Sequence, residues 1–594
     1  MSAEERSESL EGIAGSSGIA LAPALVVGTG HVGYPRRSIG RAEADAELRR
    51  FTVAVLQVQE SLQEAASKVA DGGGDAAILA IYAAMVGDTS LAEMVEQLIR
   101  DEGRCADWAV AEAIRRFAGR MGEATDEYLR DRAQDVEFVG RELLRALGGR
   151  QDPRRRLVIE QPAVVVAYDL SPADTAAMIR QPVVGFVTEV GTRTSHTAIM
   201  ARSLEIPAVL GARDALRRIR NGDLLIVDGL TGRVVIHPSA EQQAEAKLRA
   251  ARYRAFADRL HESRDLPART RDGTTLRLLA NIELPGEAAT ALEHGAEGIG
   301  LYRTEFLYVD RLVPPSEEQQ FETFREVVEA MGERPTTLRT FDIGGDKFTT
   351  AFQAPEELNP LLGLRAVRLA LAEPEVFLKH LRAMVRASAF GVVRIMVPFV
   401  ATLAELRAVR RLLDQAREQV RDRGLDQAEQ IPLGAMIELP AAAVMADAFA
   451  KEADFLDIGT NDLVQYALAV DRTHRALATM ASPFHPAILR LVSGVVRAAD
   501  AADCPVSVCG EMAATPYGAL LLTGFGVREL SMEAVAIPEV KETLGRATID
   551  ELRDLADQAL SFETGDQVRA LLEERFEARL HDLLTAELPP GDLG

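Results

Sequence analysis

From about Thr274 onward the chain alternates short apolar, β-branched runs with longer helical patterns, and this alternation constrains the fold more than any other feature. The candidate strands are Leu276–Ala280, Gly298–Tyr302, Thr337–Asp342, Val393–Pro398, Leu433–Ile437, Phe455–Ile458, Val506–Cys509 and Leu530–Met532. That number of strands over this length predicts a (β/α)₈ TIM barrel, in which chemistry belongs at the C-terminal strand ends.

Those ends share a theme. Arg303 follows EGIGLY, Arg339 sits in TTLRTFDIGGDK, Glu438 closes LGAMIE, and Asn461 with Asp462 closes FLDIGTND. Arg472 lies one loop further on in AVDRTH, and Cys509 ends VSVCGE. Each alone has an ordinary explanation: a surface arginine, a capping Asn or Asp, a buried thiol. A barrel, however, delivers them from separate strands to one mouth. Three arginines with Asn461 suit a ligand carrying both a carboxylate and a phosphate, because guanidinium forks bind such oxygens bidentately. Glu438 and Asp462 are too few to cage Ca²⁺ but suit Mg²⁺, which takes its other ligands from water and substrate. Cys509 suits a proton donor to carbon; its other reading is a core thiol.

A second constellation lies upstream, in GTRTSHTAIMARSLEIPAVLG, Gly191 to Gly211. Thr192, Thr194, Ser195 and Thr197 surround His196 where an extended run (Val183, Val184, Phe186, Val187) gives way to a helical pattern through Ile199, Met200 and Leu204. The first turn of a helix offers free N–H groups and the positive end of the macrodipole to a phosphoryl group, and a neutral imidazole can accept it and give it away. His196 therefore reads as a phosphoryl carrier, against the alternative of a histidine that caps its own helix.

The His196 motif resembles that of the PEP-utilising enzymes, a family that includes Enzyme I of the bacterial phosphotransferase system, pyruvate phosphate dikinase and PEP synthase. The strings GLYRTEFLY, RTFDIGGDK, NPLLGLRAVR, MIELPAA, IGTNDLVQYALAVDR and CGEMA are similar to the PEP-binding barrel of Enzyme I, in about the same order. The resemblance implies that Arg303, Arg339, Asn461 and Arg472 bind phosphoenolpyruvate (PEP), that Glu438 and Asp462 hold Mg²⁺, and that Cys509 protonates the enolate. Asp462 thereby stands in both the substrate and the metal sets, and Lys347 and Arg365 add charge at the mouth. It further implies transfer of phosphoryl to His196 and then to the carrier protein HPr, and a homodimer formed through the barrel.

The expected organisation is multidomain α/β. A phosphohistidine α/β domain spans 1–40 and 149–239, with a helical, HPr-docking bundle inserted at 41–148; a linker follows at 240–272, and the barrel at 273–594. The net charge of −23 argues against nucleic-acid binding and suits a basic protein partner. The N-terminal MSAEERSESLEGIAG lacks a signal-peptide apolar core, and no apolar run is long enough to span a bilayer. With only Cys105, Cys504 and Cys509 there is no disulfide framework, which suits the cytoplasm. Two alternatives remain at this stage. A dikinase or PEP synthase is disfavoured because the region before His196 is short, mostly helical and without a Walker-type loop. An Enzyme I paralogue of a nitrogen-related or signalling branch is the other, and the absence of a sensory domain before Gly12 favours the general form.

Overall fold

Strands β1 (Glu8–Glu11), β2 (Ile13–Ser16), β3 (Ile19–Val27), β4 (Ala163–Ala167), β5 (Val183–Thr188), β6 (Ala208–Leu210), β7 (Leu224–Asp228) and β8 (Arg233–Ile236) form one sheet in this computed structural model. Their order is β1-β8-β7-β3-β4-β5-β6-β2. The structure describes residues 7–27, 34–68, 85–87, 89–122, 136, 139–148, 159, 161–170, 178, 181–191, 197, 201, 206–308, 314–344, 359–471, 477 and 480–585. β4, AVVVA, is buried at every position, as expected for a central strand covered on both faces. It pairs in parallel with β3 and β5, whereas β7 and β8 run antiparallel to their neighbours.

Between β3 and β4 the chain leaves the sheet for a set of helices that includes Ala44–Lys68, Thr89–Arg100 and Ala106–Gly122. Their apolar stripes meet in a core that includes Phe51, Val58, Val95, Leu98, Val110 and Leu143. Arg50 ties the helices together, donating to Glu47 at 2.7 Å, Asp107 at 3.1 Å and the Leu147 carbonyl at 3.1 Å.

The chain divides into two compact units, and the division falls between Phe256 and Ala257, inside the helix Ala240–Glu262. On one side of that point Arg249 pairs with Asp228 at 2.7 Å; on the other Arg259 pairs with Asp582 at 2.5 Å. The polar stretch that follows the helix is tied to the second unit. Lys541 Nζ donates to the Arg264 carbonyl, and Ala268 and Thr270 are buried.

The second unit, Ala257–Thr585, is a closed parallel barrel surrounded by helices. Its strands are β9 (Arg277–Ile282), β10 (Ile299–Tyr302), β11 (Thr336–Arg339), β12 (Val393–Val397), β13 (Leu433–Ile437), β14 (Phe455–Ile458), β15 (Val506–Val508) and β16 (Glu529–Met532). β16 closes on β9 with Met532 opposite Ala280. Each strand expected from the sequence is present. β11 ends three residues before the expected Asp342, because the Asp342 N–H leaves the ladder and donates to Glu305 Oε1 at 2.7 Å. Among the described residues no helix is long and apolar enough to cross a membrane.

Candidate functional site

The C-terminal end of the barrel gathers charge in a buried setting. Arg339, the last residue of β11, is 7% exposed, with Nη2 3.0 Å from Glu305 Oε2 and Nη1 3.8 Å from Asp342 Oδ2. Burial opposes its charge, and Glu305 and Asp342 outweigh that effect, so the guanidinium stays protonated. Its Nε is buried with no hydrogen-bond partner, a donor still available to a ligand oxygen. On the other side of Asp342, Arg365 makes a fork, with Nε donating to Oδ1 at 3.2 Å and Nη2 to Oδ2 at 2.8 Å; it also donates to the Tyr466 hydroxyl at 3.0 Å and lies over the Phe399 ring. Gly344 permits this approach: its φ is +128°, and a Cβ there would stand 2.4 Å from the Arg365 Cα.

Glu438 follows β13 and is 2% exposed. Its Oε1 accepts the Phe399 N–H at 2.5 Å, while Oε2 occupies space that a Cβ at Gly459 would take, 2.9 Å away. Burial, then the charges of Asp462 and Asp342, pushes this carboxyl well above the usual carboxylate range. Asp462 sits in the first turn of the helix Thr460–Leu468 that follows β14. A buried carboxyl beside a second carboxylate is suited to a shared divalent cation, and the pair fits Mg²⁺ better than a cation needing an all-protein cage. Among the described residues there is no group of three or more His, Cys, Asp and Glu side chains that could hold a metal ion.

Arg303 follows β10 and pairs with Glu283, while its N–H donates to the Ile282 carbonyl at 3.0 Å. Asn461 exchanges hydrogen bonds with Glu511: Nδ2 donates to Oε1 at 2.9 Å, and Oδ1 accepts the Glu511 N–H at 2.9 Å. Cys509, directly after β15, is buried with Leu301, Met396, Met436 and Phe455. Its carbonyl accepts from Asn281 Nδ2 at 2.9 Å. Burial, then the charge of Asp457, pushes the thiol well above its usual range, so it remains a protonated S–H.

His196, Arg472 and Lys347 lie outside the described residues, as do Thr192, Thr194 and Ser195. The flanks of the His196 loop are described. β5 ends at Thr188, Gly191 takes φ +126°, and Thr197 is helical and buried, its hydroxyl donating to the Leu170 carbonyl at 3.2 Å. Glu305, Asp342, Glu511 and Asp457 have no place in the sequence reading. The first three hold Arg339, Arg365 and Asn461, and each lies within a few residues of a strand-end candidate, in RTEF, RTFD and CGE. That adjacency was the available signal.

Family models match three stretches: "PEP-utilising enzyme, N-terminal" over residues 11–132, "PEP-utilising enzyme, mobile domain" over 159–232, and "PEP-utilising enzyme, PEP-binding domain" over 257–549. A phosphoenolpyruvate-protein phosphotransferase from Geobacillus stearothermophilus is 41% identical over 579 residues, covering 96% of this chain and 99% of that protein. The protein of the same name from Staphylococcus carnosus is 39% identical over 567 residues, covering 95% of this chain and 98% of that one. A solution structure of an Enzyme I protein, 37% identical, covers 41% of this chain and 99% of its own, with a TM-score of 0.35. By this likeness along nearly its whole length, the chain belongs to the PEP-utilising enzymes, among the phosphoenolpyruvate-protein phosphotransferases.

Proposed function

We propose that the protein is a phosphoenolpyruvate-protein phosphotransferase that moves the phosphoryl group of PEP to His196 and then to the histidine of the carrier HPr, releasing pyruvate, as the first step of phosphotransferase-system sugar uptake in the cytoplasm. The observation that carries the activity is the match, over 96% of the chain, to curated proteins of that name. Because those proteins are matched over 99% of their own length, the dikinase reading is left without support.

At the barrel mouth, Arg303, Arg339, Asn461 and Arg472 hold the carboxylate and phosphate of PEP, with Arg339 fixed by Glu305 and Asp342 and offering its unpartnered Nε. Glu438 and Asp462 hold Mg²⁺, which when bound neutralises charge on the transferring phosphoryl oxygens. Little covalent work remains beyond in-line positioning. Cys509, kept protonated by burial, gives its proton to the enolate carbon. His196 receives the phosphoryl in the domain of 1–40 and 149–239, HPr docks on the bundle of 41–148, and the segment 240–272 lets the histidine domain visit both. A homodimer forms through the barrel, residues 273–594.

The test is labelling with PEP whose phosphorus is radioactive. Wild-type protein should take up acid-labile label, and His196→Ala should take up none while keeping its fold by circular dichroism. Label at normal stoichiometry in that variant overturns the assignment of His196.

A further inference from the structure

The barrel interior carries a line of polar side chains that the site above leaves unused. Successive strand residues face opposite ways, and the buried cluster of Leu301, Met396, Met436, Phe455 and Cys509 identifies the inner face. Counting by two from these residues puts Asp457 on the inner face of β14, Ser507 on that of β15 and Arg394 on that of β12. The register agrees, with Asp457 opposite Ser507 and Ser507 opposite Glu529. At the N-terminal end Glu529 accepts ion pairs from Arg394 at 2.8 Å and Arg277 at 3.1 Å, and the Arg277 side chain is 48% exposed, so solvent reaches this layer.

Asp457 stands between that layer and the thiol. It is 1% exposed, and its Oδ1 has no hydrogen-bond partner. The polar side chains facing it are Cys509 and Ser507 from β15; the charged ones are Glu529 from β16 and Arg394 from β12; Met436, opposite it on β13, is apolar. Burial first, with Glu529 adding to it, raises the carboxyl to about 7. A buried carboxyl of that kind holds a proton at neutral pH and can release it to a stronger base.

We propose that Asp457 reloads the Cys509 thiol with a proton after each turnover, drawing on solvent that enters at the Glu529 layer. The inference rests on the reading of Cys509 as the acid. When Cys509 protonates the pyruvate enolate, the enolate electron pair forms the new C–H bond, and the S–H bond breaks with its pair left on sulfur. The Asp457 O–H proton then passes to the thiolate, leaving a carboxylate. A proton from water entering past Glu529 restores the carboxyl. Asp457 touches no substrate atom and acts only through Cys509.

The experiment compares the first turnover of pyruvate with steady-state turnover, using full-length protein, Mg²⁺, PEP and the phosphoryl-accepting carrier protein. Asp457→Asn keeps the shape and removes the proton. Its first turnover should match wild type, because the thiol starts loaded, while its steady-state rate should fall about tenfold or more. Wild-type steady-state turnover should decline as pH rises through about 7, where Asp457 ionises, while its first turnover stays flat. A wild-type steady-state rate in Asp457→Asn, a first turnover slowed as much as the steady state, or identical pH profiles for the two phases in wild type would each overturn the relay. The wild-type comparison decides the matter even where the variant folds poorly. Cys509→Ala separates the two ideas. A normal first turnover in that variant removes Cys509 as the acid, and a slow one beside a wild-type Asp457→Asn removes the relay alone.

Discussion

Glu438 and Asp457 are both carboxyls buried in the barrel, yet their surroundings give them different chemistry. Glu438 has the charges of Asp462 and Asp342 nearby, so removing this member of the proposed cation-binding pair should be felt in the metal dependence. Glu438→Ala should lower Mg²⁺-dependent turnover by roughly a hundredfold or more. Titrating turnover against Mg²⁺ checks this, and an unchanged Mg²⁺ dependence would place the metal elsewhere. Asp457 is raised to about 7 chiefly by burial, so the folded protein holds a proton there that the unfolded chain has released. Its contribution to stability is full below the unfolded value near 4 and is lost as pH rises through about 7, an effect of roughly a few kcal/mol. Asp457→Asn should therefore flatten the fall in stability between mildly acidic and neutral pH. Urea unfolding across that range measures it, and an equally steep fall in the variant would assign the effect to other groups.

At the scale of elements, the mouth is built where strands stop and helices begin. The helix Leu403–Asp422 shows how such a boundary is fixed by local sequence. Thr402 Oγ1 accepts the Glu405 N–H at 3.3 Å, and Glu405 Oε2 accepts the Thr402 N–H at 2.8 Å, a reciprocal capping box. This boundary lies just after Phe399, whose N–H holds Glu438. Thr402→Ala should cost about 1 kcal/mol of stability, visible as a lower urea midpoint, and leave turnover near wild type. No change in midpoint would mean that tertiary packing, not the cap, fixes the helix start. The other local device is the fork of Arg365 on Asp342, which holds one carboxylate between two guanidiniums. A lysine there could supply charge but not the paired donors.

For the molecule as a whole, His196 and the residues proposed to bind PEP belong to different units, divided inside the helix Ala240–Glu262. The half-reactions should therefore separate. A fragment ending near His261 should exchange phosphoryl with phosphorylated carrier protein and fail to accept it from PEP, because the arginines and carboxylates proposed to hold PEP and Mg²⁺ all belong to the second unit. Phosphoryl exchange assays on the fragment decide this. Acceptance from PEP by the fragment would mean that the substrate site is misplaced. The acidic charge of −23 gives a basic carrier a long-range attraction, so exchange should also slow as salt rises.

The barrel was legible in the sequence because its strands are buried on both faces and read as apolar runs bounded by helical patterns; Leu433–Ile437 and Phe455–Ile458 coincide with β13 and β14 to the residue. The strand-end candidates Arg303, Arg339, Glu438 and Cys509 were legible for a related reason: in a parallel barrel, position at the C-terminal end of a strand is already position at the mouth. The partners of those residues were not. Glu305 with Arg339, Glu511 with Asn461 and Asp457 with Cys509 come from different strands and loops, joined only when the barrel closes. The polar stretch 263–272 reads as a linker from its composition, which reports what its side chains prefer. Its attachment to the second unit through Lys541 depends on backbone carbonyls, which composition does not describe. The sequence by itself determined which segments become strands and which chemistry-bearing residues end them, because periodicity and composition are local. Tertiary structure alone decided which carboxylate meets which guanidinium and how far burial moves a proton, because desolvation and charge act through space.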